Sequence, residues 1–116
     1  MSYVDGYVIP IKKKNIKAYK KMAALGCKIW MEHGALDYYE CLGDDFVKWG
    51  RTFPKMCQLK SGETVVFSFI VYKNKAHRNK VNKLAMNDPR MKMDLAAMPF
   101  DIKRFASGGF KTFVQA

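Results

Sequence analysis

Residues 63–72 read ETVVFSFIVY, a run of β-branched and aromatic side chains that favours a β-strand. Successive side chains of a strand point to opposite faces, so residues 65, 67, 69 and 71 share one face and residues 66, 68, 70 and 72 the other. A strand with one solvent-facing side alternates apolar and polar residues, but between positions 65 and 72 only Ser68 breaks the apolar run. The stretch therefore predicts a sheet that is apolar on both faces.

Two helices are predicted on either side of this strand. Apolar residues at helical spacing predict a first helix that is capped by Asn15, ends at His33 and is stopped by Gly34. A second helix is predicted to start after the cap residue Asn74 and to run to about Asn87. Most lysines of the first helix fall outside its apolar stripe, so they are expected to face water.

The remaining strands complete a simple order. Alternating residues predict a first strand at 3–11 and a second at 36–42, and a last strand is predicted at 110–115, after a glycine pair. Residues 46–60 are the least regular part and are predicted to form a loop with a short strand near Met56. The order predicts a single α+β domain spanning the whole chain, with ferredoxin-like βαββαβ topology: a four-stranded antiparallel sheet with both helices on one face.

The two apolar faces of the sheet predict a homodimer, because the helices can cover only one of them. A large aromatic side chain contributes roughly 150–250 Å² when buried, and several left open would exceed the roughly 300–600 Å² apolar patch of a typical monomer. We expect a second copy of the chain to cover the open face, in a two-fold interface of about 800 Å² per partner.

Composition narrows the classes of protein to consider. With 49% hydrophobic and 27% charged residues the chain is an ordinary globular domain, and its formal net charge of +11 favours anionic partners. The opening MSYVDGYVIPIKKK lacks the apolar core of a signal peptide, and the apolar run at 65–72 is too short to span a bilayer. The sequence predicts a cytoplasmic protein without a membrane anchor.

The cysteines argue against a metal site and a disulfide framework. Cys27, Cys41 and Cys57 are odd in number and widely spaced, and no CxxC motif or Cys/His cluster occurs. We expect buried or half-buried free thiols, and neither a metal nor another cofactor.

Several separated blocks of the sequence carry a family resemblance. The stretches YVDGYVIPI, WMEHGALDYYECLGDD, ETVVFSFIVYKNKAHRNKVN with the following DPRM, and MPFDIKRFASGGF resemble the bacterial YbaA-like family of unknown function. Members of that family are similar to the dimeric α/β-barrel superfamily. The resemblance implies a ferredoxin-like fold, a barrel built from the sheets of two chains and a cavity between sheet and helices. It implies no single reaction, because the superfamily includes cofactor-independent monooxygenases, haem-handling enzymes, lactone isomerases and non-catalytic proteins.

Two histidines are candidates for chemistry. His33 falls in phase with Trp30 on the buried stripe of the first helix, where an imidazole could act as a general base and the indole could contact a ligand. His77 lies one helical turn before Val81, on the inward stripe of the second helix, and is a candidate ligand contact. The simpler interpretation of both is a buried imidazole with one satisfied hydrogen bond. A metal site based on the two histidines lacks a third ligand at a recognisable spacing.

Acidic residues inside predicted strands are a second signal, because strands disfavour them. Asp5 and Glu40 occupy such positions, and either could accept a proton if it faces a cavity or merely improve solubility if it faces water. Tyr7, Tyr38 and Ser68 are the expected polar neighbours, although core packing also explains the tyrosines.

A charged motif near the end of the chain is the last candidate. Asp101 could orient Arg104, and Arg104 could then bind a carboxylate or phosphate of a ligand. The alternative is a surface ion pair beside the turn that contains Pro99.

Three functions remain open on this basis. The first is a site for a small apolar or aromatic molecule between sheet and helices, with possible monooxygenase- or isomerase-like chemistry and with His33 and Glu40 as catalytic candidates. The second is RNA binding, because Phe67, Phe69 and Tyr72 follow the aromatic spacing of RNA-recognition domains. Val65-Val66 replaces the usual basic residue and glycine, however, and Tyr72 points away from the two phenylalanines, so we do not expect nucleic acid to be the partner. The third is a non-catalytic structural or regulatory dimer.

Overall fold

A computed structural model describes residues 1–91 and 97–116 and shows a mixed α+β fold built on one antiparallel sheet. In chain order the elements are β1 (Tyr3–Lys12), a 3₁₀ turn (Lys13–Asn15), α1 (Ile16–Glu32), β2 (Asp37–Leu42), α2 (Phe53–Met56), β3 (Glu63–Tyr72), α3 (Lys75–Met86) and β4 (Ala106–Lys111). The four strands are ordered β2-β3-β1-β4, and every neighbouring pair is antiparallel. The predicted α+β class with a four-stranded antiparallel sheet is therefore confirmed.

The two long helices begin and end at local signals. The side chain of Asn74 accepts a hydrogen bond from the backbone N–H of His77 at 2.8 Å and caps α3, as predicted. α1 ends before Gly34, whose φ of +111° lies in the left-handed region that glycine tolerates best. The start of α3 and the end of α1 thus lie where Asn74 and Gly34 predict them, to within two residues.

The core lies between the helices and one face of the sheet, in two clusters. The first packs Trp30 and Ile29 of α1 and Val81 of α3 against Ile70 and Tyr72 of β3. The second packs Tyr19 and Ala23 of α1 against Ile9, Ile11 and Val66. Side chains at odd positions of β1 and even positions of β3 therefore face the helices.

The opposite face of the sheet carries no helix from α1 or α3 and remains partly open; we call it the open face. Its central positions are 4, 6, 8 and 10 of β1, 37, 39 and 41 of β2, 65, 67, 69 and 71 of β3, and 106, 108 and 110 of β4. Tyr39 stacks on Phe69 with ring centroids 5.0 Å apart, and Phe67 lies beside Phe69 at 5.9 Å. Tyr39, Phe67 and Phe110 are 52%, 45% and 61% exposed. The sheet is thus apolar on both faces.

One end of the open face is covered by the segment that follows β2. Val65 is only 3% exposed, because Phe46 and Phe53 lie against this end of β3. The rings of Phe53 and Phe67 are 6.5 Å apart. The segment that looked least regular in the sequence therefore extends the apolar surface of the sheet.

Three local predictions are wrong. Near Met56 the chain forms the short helix α2 rather than a strand, because Thr52 accepts a hydrogen bond from Lys55 N–H and Pro54 fits the first helical turn. Asn15 does not cap α1 with its side chain, since its Nδ2 donates to the carbonyl of Pro99 at 3.2 Å and the 3₁₀ turn leads into the helix.

The last strand was also placed too late in the chain. β4 spans Ala106–Lys111 and includes the two glycines, while Phe113 and Val114 lie beyond it and are 84% and 79% exposed. A glycine is needed inside this strand, because the phenol of Tyr3 on β1 occupies the space that a Cβ at Gly109 would need.

The cysteines are free thiols, but one differs from the prediction. Cys57 is buried and Cys27 half-buried, whereas Cys41 is exposed on edge strand β2. Burial raises the pKa of the Cys57 thiol, although the nearby Arg104 lowers it in part. Within residues 1–91 and 97–116, no helix is long and apolar enough to cross a membrane.

Candidate functional site

A cavity of about 290 Å³ lies between α1 and the helix-facing side of the sheet. Its wall is mainly apolar and aromatic, and is formed by Ile9, Met22, Ala23, Trp30, Ile70, Met86, Met91, Met98, Phe100 and Phe105. On one side the rings form a chain: Tyr7 lies 5.9 Å from Phe105, Phe105 stacks on Phe100 at 5.5 Å, and Phe100 meets Tyr19 edge-on at 6.0 Å. Such a wall suits a small hydrophobic ring compound.

Polar groups cross the floor of the cavity in a single row. Glu40 of β2 is the cross-strand partner of Ser68 of β3, and Ser68 is the partner of Tyr7 of β1. All three line the cavity. Because directly opposed residues have Cβ atoms about 4.5–5.5 Å apart, the sheet register alone places a carboxylate, a hydroxyl and a phenol side by side. We call these three residues the polar row.

Two tyrosines hold the carboxylate of Glu40. Tyr19 Oη of α1 donates to Oε1 at 2.6 Å, and Tyr38 Oη of β2 donates to Oε2 at 2.8 Å. Burial, followed by the interaction with Glu40, raises the pKa of both phenols well above the usual value. Both tyrosines therefore remain neutral hydrogen-bond donors at physiological pH and fix the orientation of the carboxylate.

The other two members of the polar row have unused hydrogen-bonding capacity. Among the residues that the structure describes, neither Tyr7 Oη nor Ser68 Oγ makes a side-chain hydrogen bond. Within the same residues, Arg78 Nε is the one side-chain nitrogen or oxygen that is both fully enclosed and without a partner, so the two hydroxyl oxygens are not fully enclosed. Both hydroxyl oxygens are therefore accessible from the cavity. Burial, with a smaller contribution from Asp5, raises the pKa of Tyr7 to about 12, so this phenol also keeps its proton.

A second groove reaches Glu40 from the outer side of α1. It lies between α1 and β2 and includes Lys20, Cys27 and Cys41 in its lining. Tyr19, Ala23, Tyr38 and Glu40 line both the cavity and this groove. Glu40 and its two tyrosines therefore form the partition between the two spaces, and the carboxylate can be approached from either.

Asp5 faces the helices but lies within a separate polar network. It is 6% exposed, with its Oδ2 accepting from Asn82 Nδ2 at 3.3 Å and its Oδ1 3.6 Å from Arg78 Nε. Asn82 Oδ1 in turn accepts from Trp30 Nε1 at 2.9 Å and from Tyr72 Oη at 3.0 Å. These bonds join α1, α3, β1 and β3, so Asp5 is engaged in holding the helices on the sheet.

The two histidines lie outside the cavity lining. His33 Nε2 is 2.9 Å from Asp88 Oδ2, and Arg90 binds the same carboxylate. Hydrogen bonds from Arg90, and then from His33, hold the pKa of Asp88 well below its usual range. His77 Nδ1 accepts from the backbone N–H of Lys73 at 3.0 Å. Within the described part of the chain, no group of three His, Cys, Asp or Glu side chains could hold a metal ion.

Arg104 likewise binds groups of its own chain and does not line the cavity. It donates to both carboxylate oxygens of Glu63, at 2.8 and 2.6 Å, to Asp101 Oδ2 at 2.8 Å and to the carbonyl of Gln58 at 3.1 Å. Asp101 does orient Arg104, as the spacing suggested, but the guanidinium joins the start of β3 to the loop before β4. Its hydrogen bonds hold the pKa of Glu63 at about 2.

The structure thus brings five of the nine candidate residues together around one cavity: Tyr7, Trp30, Tyr38, Glu40 and Ser68. Asp5, His33, His77 and Arg104 lie elsewhere. Sequence reasoning missed Tyr19 and the methionines of the wall, namely Met22, Met86, Met91 and Met98. The hydrogen bond of Tyr19 joins it to Glu40, 21 positions away, and therefore leaves no local signal in the sequence.

Comparison with known proteins gives the family of the chain. The family described as "Protein of unknown function (DUF1428)" matches residues 2–102. The chain belongs to this family. It is 39% identical over 115 residues to "Uncharacterized protein YbaA" of Escherichia coli (strain K12), covering 98% of both chains, and proteins of that name from Escherichia coli O157:H7 and Shigella flexneri match equally well. The YbaA resemblance is confirmed; the place of the family in the dimeric α/β-barrel superfamily stays a prediction.

Proposed function

We propose that the protein binds a small, largely apolar or aromatic molecule in the cavity between sheet and helices, as one subunit of a homodimer. The observation that carries this proposal is the polar row: three adjacent polar side chains lie on the floor of an otherwise hydrophobic cavity. Ligand sites combine an apolar wall with a few placed polar groups in this way. Buried hydroxyl groups usually have a hydrogen-bond partner, and within the described residues Tyr7 Oη and Ser68 Oγ have none, which supports a polar group of a ligand at this position.

The size of the cavity limits the ligand. An engineered apolar cavity of about 150 Å³ holds benzene. The cavity here, at about 290 Å³, has room for roughly two fused rings or a substituted single ring. The four methionines of the wall add adaptability, because their unbranched side chains can adjust to ligands of different shapes.

Glu40 is the residue that could perform chemistry on such a ligand. Its carboxylate reaches the cavity and is oriented by Tyr19 and Tyr38, so it is placed to accept a proton from a bound molecule with an acidic C–H or O–H bond. Proton abstraction is the first step expected of the monooxygenase- or isomerase-like reactions that the superfamily resemblance suggests. The catalytic role predicted for His33 lacks this access, because its imidazole pairs with Asp88 outside the cavity lining.

A second copy of the chain is the partner we propose for the open face, giving the dimeric barrel of a ferredoxin-like fold. The strand order β2-β3-β1-β4 supports that topology, and the exposed rings of Tyr39, Phe67 and Phe110 support a sheet-to-sheet contact. RNA is the weaker alternative, since the central positions of this face carry no lysine or arginine and one acidic residue, Asp37. A stacking platform for RNA also needs cations near the phosphates.

The binding proposal is tested by blocking the cavity. The purified protein is screened against single-ring and fused-ring aromatic compounds by thermal shift, beside Ala23→Leu, which adds bulk at the cavity wall. Ala18→Leu is the matched control, because Ala18 is exposed on the same helix and does not line the cavity. We expect compounds that stabilise wild type and Ala18→Leu but not Ala23→Leu. Equal shifts in all three proteins would place binding elsewhere and refute the proposal.

A further inference from the structure

The carboxylate of Glu40 retains acceptor capacity toward the cavity. A carboxylate has about four lone-pair positions for hydrogen bonds, and Tyr19 and Tyr38 occupy one on each oxygen. Both tyrosines are donors, and each has its one proton committed to Glu40. A ligand that approaches Glu40 along the polar row therefore meets an acceptor, with the hydroxyl groups of Ser68 and Tyr7 beside it.

The charges around the cavity disfavour an anionic ligand. Within residues 1–91 and 97–116, Arg90 is the one cationic side chain that lines the cavity, and all three of its nitrogens donate to Asp88 or Glu32 at 2.9 to 3.3 Å. In the described lining of the cavity, no cation is therefore left to neutralise a second negative charge beside Glu40; Lys20 lines the groove on the outer side of α1. Two like charges in an apolar site raise the free energy of the bound state, so aromatic carboxylates are poor ligands here.

We infer that the cavity selects a neutral ring compound that carries a hydrogen-bond donor, a phenolic hydroxyl or an aromatic amino group, which it presents to Glu40. The ring packs against the methionine wall, where thioether sulfurs make favourable contacts with aromatic edges. Ser68 and Tyr7 bind a second polar substituent or the oxygen of the same hydroxyl. This selectivity rests on the proposed binding function and adds the chemical class of the ligand.

Three probes of similar size test the selectivity by isothermal titration calorimetry: 2-naphthol, naphthalene and 2-naphthoate. We expect 2-naphthol to bind at least about tenfold more tightly than the other two, the lower end of what a hydrogen bond to a charged group supplies. Glu40→Gln keeps the shape but removes the charge, and should weaken 2-naphthol about 10- to 100-fold while leaving naphthalene unchanged. Asp37→Asn, on the same strand but the opposite face, is the matched control and should change neither.

The outcomes separate this inference from the function on which it rests. Equal affinities for 2-naphthol and naphthalene in the wild-type protein would overturn the selectivity and leave the aromatic site intact. Tighter binding of 2-naphthoate would overturn it too, since the site would then be cationic. If none of the three probes binds, both the aromatic site and its selectivity are refuted. The wild-type comparison needs no variant, so the test holds even if Glu40→Gln fails to fold.

Discussion

Replacing Phe67 by aspartate should separate the two subunits of the proposed dimer. Phe67 is 45% exposed at the centre of the open face. A fully buried aromatic side chain contributes roughly 150–250 Å², so about 70–110 Å² of this ring remains for a partner to cover. The two-fold axis doubles this area. At about 25 cal/mol per Å², losing it weakens the free energy of dimerisation by roughly 3.5–5.5 kcal/mol. The dissociation constant should rise by about 10²- to 10⁴-fold, before any cost of burying the new charge.

Sedimentation velocity over a range of concentrations measures this change, with circular dichroism to check that the variant is folded. Leu84→Asp is the matched control: Leu84 is 43% exposed, but it lies on α3, on the other side of the sheet. We expect wild type and Leu84→Asp to sediment as dimers and Phe67→Asp as a monomer. A wild-type protein that stays monomeric at high concentration, or a Phe67→Asp variant that dimerises normally, would refute the assignment of the open face.

Three further substitutions test two networks that hold the fold. Glu63→Gln should lower the free energy of unfolding by about 2 kcal/mol at neutral pH, because it removes the charge that Arg104 binds. Arg104 lowers the pKa of Glu63 in the folded protein from 4.5 to about 2, so the wild type loses this stabilisation as Glu63 becomes protonated. The difference in free energy of unfolding between wild type and Glu63→Gln should therefore shrink as the pH falls from about 4.5 towards about 2. A difference that stays constant over this range in urea unfolding would contradict the prediction. Tyr72→Phe should lower the free energy of unfolding by about 1 kcal/mol, because it removes one hydrogen bond to Asn82. Asn82→Leu should lower it by at least about 2 kcal/mol, because both Trp30 Nε1 and Tyr72 Oη lose their acceptor. Equal losses for the two variants in urea unfolding would be inconsistent with a shared acceptor.

The sequence was sufficient for features that depend on local pattern. The apolar character of residues 63–72 on both faces indicated a sheet with two apolar sides, and the structure has β3 at those positions. The cap at Asn74 and the stop at Gly34 located the ends of the long helices, because both act through backbone groups within a few residues. The acidic residue inside the second predicted strand also indicated Glu40 as a candidate, with Ser68 and Tyr7 as expected polar neighbours.

Other features depend on which distant residues meet, and a single sequence does not contain that information. The polar row exists because the register pairs Glu40 with Ser68 and Ser68 with Tyr7. The sequence offers His33 as a candidate catalytic base, because no local signal shows that it pairs with Asp88, 55 positions away. Arg104 could bind a ligand on charge alone, but its distant partner Glu63 already binds it. Side chains that suggest chemistry in the sequence can thus be satisfied by long-range pairs.

A high-resolution electron-density map of protein purified without added ligand is the most direct test of the binding site. We expect density for a small ring compound in the cavity, with a polar atom within hydrogen-bonding distance of a Glu40 carboxylate oxygen and the ring against the methionine wall. A cavity that holds only ordered water, in a protein that also binds none of the aromatic probes in solution, would contradict it.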